Sequence, residues 1–412
     1  MTLPASPKVQ IRLGPGASFG AIFELGSPLN GILGTNILGT ATAQFADVSA
    51  TTQYIGIRHG RDRIFEQYVA GQATIQFLDF NGDWNPENTS SPYYGQIKPL
   101  RQIIVTADYS GTEYPLFAGY ITSWDWQWAD QSVDYATVTV NADDGFRLLS
   151  LANIETVTGA ANKDLPGERI NQILDQIDWP ATLRNIDLGD TELQNDPGTL
   201  RTALEAIQTV ENSELGVFFI NPAGEATFYS RANLAAKAAG TATTFKDDGT
   251  GIAYQDIDIN LDDTELANVV TFTRHGGTAQ TAFDLNSIDE YFTRTFERSD
   301  LVMETNTQAL TAANLVLNYR KQVRLRVDSI TLDCSSPSNR VLPALSLDIG
   351  DPIIVNRNMA GGTDLSLRIT VQGHSHDITP ERWTTSFTTA HPLSTAFILG
   401  SSEFGILGTN TL

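Results

Sequence analysis

Residues 71–109, GQATIQFLDFNGDWNPENTSSPYYGQIKPLRQIIVTADY, decide the fold. The two ends, GQATIQFLDF and RQIIVTADY, are rich in β-branched and aromatic residues and alternate apolar with polar, the pattern of strands with one buried face. Between them, FNGDWNPENTSSP supplies dense turn chemistry. Outward in both directions the same signal repeats in TTQYIGIRHG (51–60), YPLFAGYIT (114–122) and YATVTVNAD (135–143). Residues 45–150 therefore read as an antiparallel sheet, closed or nearly so, of the size of a small barrel.

The chain has 412 residues, 41% of them hydrophobic, enough to bury a sizeable core in two to four domains. No apolar run reaches membrane-spanning length, and MTLPASPKVQ lacks the features of a signal peptide, so neither a membrane segment nor export by that route is expected. The single cysteine, Cys334, excludes an internal disulfide framework and a cysteine-built metal site. The net charge of -22 is spread along the chain, which opposes stable nucleic-acid binding and suits a surface past which a polyanion slides.

After residue 150 the period changes. DLPGERINQILDQIDWP (164–180) places Ile170, Ile173, Leu174 and Ile177 on one helical face, with Pro166 at its start and Pro180 past its end. GTLRTALEAIQTVENSE (198–214) repeats that logic with Leu200, Ala203, Leu204, Ile207 and Val210, and GVFFINPAGEATFYSR (216–231) follows as a hairpin. From about 241 strands return in ANVVTFTRHG, LRVDSITLDC, DPIIVNR, LSLRITVQGHSHDI and RWTTSFTTA, interrupted by one helix in TQALTAANLVLNYRKQV. The expected class is mainly β with an α/β insertion: two small β-barrel-like domains flanking a mixed α/β domain. The boundaries are 1–44 for an N-terminal extension, 45–150 for the first barrel, 151–240 for the α/β unit, 241–390 for the second barrel and 391–412 for a C-terminal tail.

Three stretches carry a resemblance. IRHGRDRIFEQYVAGQATIQFLDFNGDWNPENTSSPYYGQIKPLRQIIV, LPGERINQILDQIDWP with TALEAIQTVENSELGVFFINPAGEATFYSR, and LDIGDPIIV with GHSHDITPERWTTSFTTAHP are similar, in that order, to the minor tail proteins of long-tailed bacteriophages, and among them to the baseplate or tail-tip hub proteins. The resemblance implies a structural, non-enzymatic virion protein without cofactors. It implies a homotrimeric ring whose six barrels imitate the six-fold tail tube above and whose three-fold symmetry suits the tip below. Its implied neighbours are the distal tail protein or tail tube, the tip or fibre proteins and the tape measure protein, and DNA passes through the ring at ejection. A hexameric distal tail protein and a glycan-binding or lytic tip protein are the alternatives.

Several motifs bear on chemistry. Trp124, Trp126 and Trp128 fall on one side of a strand, as a glycan-stacking platform or as interface packing. Arg58, Arg61 and Arg63 form a basic turn that could pair with an adjacent subunit. Asp79, Asn81 and Asp83 resemble the opening of a calcium loop, but Trp84 and Ser90 stand where that loop needs Gly and an acid. His374 and His376 share a strand face without the further ligands a zinc site requires. Asp247, Asp248, Asp256, Asp258, Asp262 and Asp263 crowd one region, where a glycosidase pair is weighed against solvated turns. No nucleophile elbow, phosphate loop or dinucleotide fingerprint occurs.

One element appears twice. FELGSPLNGILGTNIL (23–38) aligns without a gap with FILGSSEFGILGTNTL (397–412). Phe23, Leu25, Ile32 and Leu33 in the first copy, and Phe397, Leu399, Ile406 and Leu407 in the second, are candidate docking residues toward the barrels or toward ring neighbours.

Overall fold

A computed structural model describes residues 3–13, 44–128, 135–361 and 364–393. The first barrel is built from β1 (Ser6–Leu13), β2 (Gln44–Asp47), β3 (Thr52–Gly60), β4 (Gln72–Asp79), β5 (Gln102–Tyr109), β6 (Thr112–Trp128) and β7 (Ala136–Asp143). These pair antiparallel in the order β2-β1-β5-β6-β7-β4-β3. Alternation does the work the sequence promised: Val9, Ile11, Ile75, Phe77, Ile103, Val105, Val138 and Val140 are all fully buried on the inner face. β1 lies inside the 1–44 extension of the sequence reading, yet it is a full member of this sheet.

The next elements are α1 (Phe146–Leu151), β8 (Asn153–Ile154), α2 (Pro166–Gln176), β9 (Arg184–Ile186), β10 (Arg201–Thr202), α3 (Ala203–Glu214), β11 (Val217–Ile220), β12 (Ala226–Tyr229) and α4 (Arg231–Ala238). α2 starts at Pro166, with Glu168 Oε2 accepting the Leu165 N–H at 2.9 Å, and buries Ile170, Ile173 and Leu174. α3 opens with a reciprocal cap: Thr202 Oγ1 accepts the Glu205 N–H, and Glu205 Oε2 accepts the Thr202 N–H. Leu200, expected on the α3 face, precedes this cap and is exposed. Both helices share a core with Phe146, Trp179, Phe218 and Phe228.

The rest of the chain forms β13 (Thr243–Lys246), β14 (Asp256–Asn260), β15 (Val269–Arg274), β16 (Gln280–Phe283), α5 (Leu285–Tyr291), β17 (Thr295–Leu301), α6 (Asn306–Arg320), β18 (Arg326–Asp333), α7 (Val341–Ser346), β19 (Pro352–Arg357), β20 (Leu365–Ile378) and β21 (Trp383–Ala390). The second barrel runs β14-β18-β21-β20-β19-β13, with Phe245, Ile330, Ile353 and Phe387 fully buried inside. The stretch ANVVTFTRHG, expected among its strands, lies elsewhere: β15 pairs with β16 and β17 in a separate sheet. α6 covers that sheet with Ala309, Ala312, Ala313, Val316 and Leu317, a helical stripe whose small residues let the helix lie close.

The two barrels are not separate beads. β20 pairs antiparallel with β3, from Gly373 opposite Gly60 to Ile378 opposite Ile55, so one sheet runs through both. The crossing needs glycine. Gly60 has φ +110°, and a Cβ there would lie 2.2 Å from Gly373 Cα.

Candidate functional site

The chain between β3 and β4 makes the joint of the molecule. Arg61, directly after β3, is buried; its Nε and Nη2 donate to Gln372 Oε1 at 3.0 and 2.8 Å, and Nη1 donates to the Glu66 carbonyl at 3.0 Å. Its guanidinium lies 4.6 Å from the centre of the Tyr68 ring, a cation–π contact inside the protein. Tyr68 packs on Phe219 of the α/β core, while Phe65 packs on Phe296 and Tyr319 beside the small sheet. Nearby in α3, burial pushes the Glu211 carboxyl up to about 7, against the opposing pull of the Arg61 guanidinium.

The basic turn thus divides. Arg61, a candidate for contact with another subunit, is committed to Gln372, Glu66 and Tyr68 of its own chain. Arg58 and Arg63 are exposed, and Arg58 is paired with Asp62 at 2.6 Å. Tyr68, Glu211 and Gln372, which share the joint, carried no periodic signal that sequence reading could have used.

A second feature is an aromatic ledge on the first barrel. Trp84 stacks on Trp124 at 5.6 Å between ring centres, Trp124 on Trp126 at 6.4 Å, and Tyr93 lies 4.7 Å from Trp84 on its own loop. The indole N–H of Trp124 donates to the Lys98 carbonyl at 3.2 Å, and that of Trp126 to the Trp84 carbonyl at 2.9 Å. These two rings clamp the loop between β4 and β5. A sugar-stacking role for Trp124 and Trp126 is opposed by this packing; Trp128 alone of the three is open, 65% exposed.

The same loop explains the calcium-like pattern. Asp79 is buried, and its two carboxylate oxygens accept the N–H groups of Asp83 and Trp84, each at 3.0 Å. The carboxylate closes a turn.

In the acidic stretch four of the six carboxylates are held locally, while Asp256 and Asp258 are exposed on β14. Asp262 pairs with Arg326, whose hydrogen bonds hold its carboxyl well below the usual range. Asp263 pairs with Arg294, Asp247 with Arg357, and Asp248 caps the Thr250 turn. In these four contacts each carboxylate meets a guanidinium or a backbone N–H and not a second carboxylate, unlike a glycosidase acid and base pair. His376 Nδ1 meets Thr385 Oγ1 at 2.9 Å, and among the described residues no group of three or more His, Cys, Asp or Glu is arranged to hold a metal ion. Nor, among these residues, is any helix long and apolar enough to cross a membrane.

A groove of about 520 Å³ opens between β1 and β3, lined by Leu3, Ala5, Val9, Tyr54, Ile55 and Ile378. The candidate docking residues Phe23, Leu25, Ile32, Leu33, Phe397, Leu399, Ile406 and Leu407 lie outside the described residues.

No protein-family model and no curated protein matches the chain. Among solved structures, the tail protein from Neisseria meningitidis MC58 is similar with a TM-score of 0.56 at 12% identity, over 94% of this chain and 96% of that one. The 43 kDa tail protein of prophage MuSo2 from Shewanella oneidensis is similar with a TM-score of 0.54 at 13% identity, over 86% of this chain and 97% of that one. At these identities the likeness is one of fold, and the chain shares the fold of these tail proteins over most of its length.

Proposed function

We propose that the chain is a non-enzymatic structural protein of a long-tailed bacteriophage virion, the hub at the distal end of the tail. The observation that carries this reading is the edge-to-edge union of two small, mainly antiparallel barrels in one chain through β3 and β20. Two barrel modules per chain allow a closed ring of three chains to present six of them, which adapts a six-fold tube to a three-fold tip. The fold likeness to tail proteins supports the same reading.

In this role the ring contacts the tail tube or distal tail protein on one side and the tip or fibre proteins on the other, with the tape measure protein as a further neighbour. The net charge of -22 suits a passage for DNA, since fixed negative charge keeps phosphates from adhering. The repeated Gly-rich elements serve as docking arms within the ring. The committed state of Trp124, Trp126, Asp262 and Asp263 weighs against a glycan-binding or lytic tip.

Light scattering with negative-stain class averages of the purified chain tests the reading. Three-fold rings with a six-fold outline are expected. Six-fold rings of identical chains would replace the hub with a hexameric distal tail protein, and a monomer that binds polysaccharide would overturn both.

A further inference from the structure

We propose that the β3–β20 ladder is an acid-sensitive latch: protonation of the row His59, His374 and His376 releases the pairing between the two barrels, while the ladders inside each barrel persist.

The placement is specific. Among the paired strands, β3 with β20 is the step at which the sheet passes from one barrel to the other. His59 stands directly opposite His374 in that register, and His376 follows two residues later on the same face. The ring centres of His59 and His374 are 5.3 Å apart, those of His374 and His376 5.4 Å, and all three side chains are buried. The row is therefore a run of adjacent imidazoles inside the core that spans both barrels.

Such a row tolerates neutral rings and resists charged ones. His59 Nε2 and His374 Nδ1 have no hydrogen-bond partner, so a proton added there finds no acceptor. Around His59 stand the Phe117 ring of β6, His374 of β20 and, beyond Gly71, the Asp144 carboxyl. Both Asp144 oxygens already accept N–H groups, from Gly71 and Phe146. His374 faces His59, His376 and Asp348, and Asp348 is itself influenced by Lys237 of α4 and by Asp351. His376 faces the Trp383 ring and the Thr385 hydroxyl of β21. One nearby carboxylate, Asp348, favours a charge on His374, but two more imidazoles lie alongside.

The direction of the pH effect follows. Burial, and then the neighbouring His374, pushes His59 down to about 3; burial lowers His374 against the pull of Asp348, and burial with the other two imidazoles lowers His376. A histidine depressed in the fold contributes stability above its unfolded value of about 6.5, and that contribution is lost as pH falls. Burial raises Asp144 to about 8, which gives the opposite slope: its contribution is present in acid and is lost as pH rises. Global stability curves mix the two slopes, so the latch needs a local readout.

Native-state hydrogen exchange of the full chain at about pH 7.5 and about pH 5, corrected for intrinsic rates, supplies it. Protection of the β3 and β20 ladder amides is expected to fall roughly tenfold or more relative to the β5–β6 ladder on acidification. Equal loss in both ladders, or none, overturns the latch. The double variant His59→Phe with His374→Leu is expected to remove most of the pH dependence of the ratio; an unchanged dependence overturns the assignment to this row. Should that variant fail to fold, imidazole proton titration of the wild type decides: midpoints near 6.5 with the ladder intact overturn the proposal, and rings that titrate only as the ladder opens support it.

Discussion

The two barrels share strand chemistry but close differently. In the second, the chain after β13 returns across the gap: Phe245 bridges to Ile252, the Lys246 N–H donates to the Ile252 carbonyl at 2.9 Å, and the Gln255 N–H donates to the Thr331 carbonyl at 2.7 Å. In the first, β2 pairs β1 only from Gln10 to Leu13, and one further step is held by the Val48 N–H on the Val9 carbonyl and the Val9 N–H on Ser49 Oγ. Toward Ser6 that edge of β1 faces the groove, and Pro7 offers no N–H to a would-be strand. Closure by a short crossing segment makes a sealed core. Closure by a partial strand leaves a seam.

The comparison can be broken at four points. Phe387→Ala, in the middle of β21, removes a fully buried ring from the sealed barrel and is expected to cost about 4 kcal/mol, read as a drop in the urea midpoint. A loss below about 1 kcal/mol would mean that the second core is as loosely closed as the first. Arg61→Ala strips Gln372 and the Glu66 carbonyl of their donor and leaves Glu211 with Arg298 but without the larger influence of the Arg61 cation; about 3 kcal/mol is expected in the same denaturation experiment. Gly60→Ala forces a side chain against Gly373 at the crossing between barrels, for roughly 2 kcal/mol, with circular dichroism melting as the measure. Ser49→Ala removes the acceptor for the Val9 N–H at the seam together with the exposed hydroxyl's own hydrogen bond to Asp47 Oδ1, and should cost about 1 kcal/mol, the smallest of the set. If that change rivals Phe387→Ala, the seam is a principal support of the first barrel and the contrast fails.

Legibility followed the range of the interaction involved. Strands β3 to β7 and β18 to β21 and the helices α2, α3 and α6 stood out because their periods are local properties of consecutive residues, whereas β1, β2, β13 and β14 did not. β6 departs from its pattern for a tertiary reason: Leu116 to Ile121 are all buried. The alternation disappears there because both faces are covered, with Ala118 against the turn at Gly224 of the α/β unit. ANVVTFTRHG carried a sound strand signal but no information about which sheet it joins; its partners β16 and β17 lie later in the chain. The tryptophan row was legible as a row, whereas the loop it clamps was not, because Trp124 reaches back 26 residues to the Lys98 carbonyl.

By itself, then, the sequence determined the class: alternating strands, two capped amphipathic helices, a single cysteine and a dispersed negative charge exclude most other architectures. Only the tertiary structure decided that β3 and β20 merge the barrels, that Arg61 turns inward while Arg58 and Arg63 stay at the surface, and that three histidines meet at the joint. Periodicity states which face of an element is apolar. It is silent about which distant element covers that face, and the Arg61–Gln372 hydrogen bond spans 311 residues of chain.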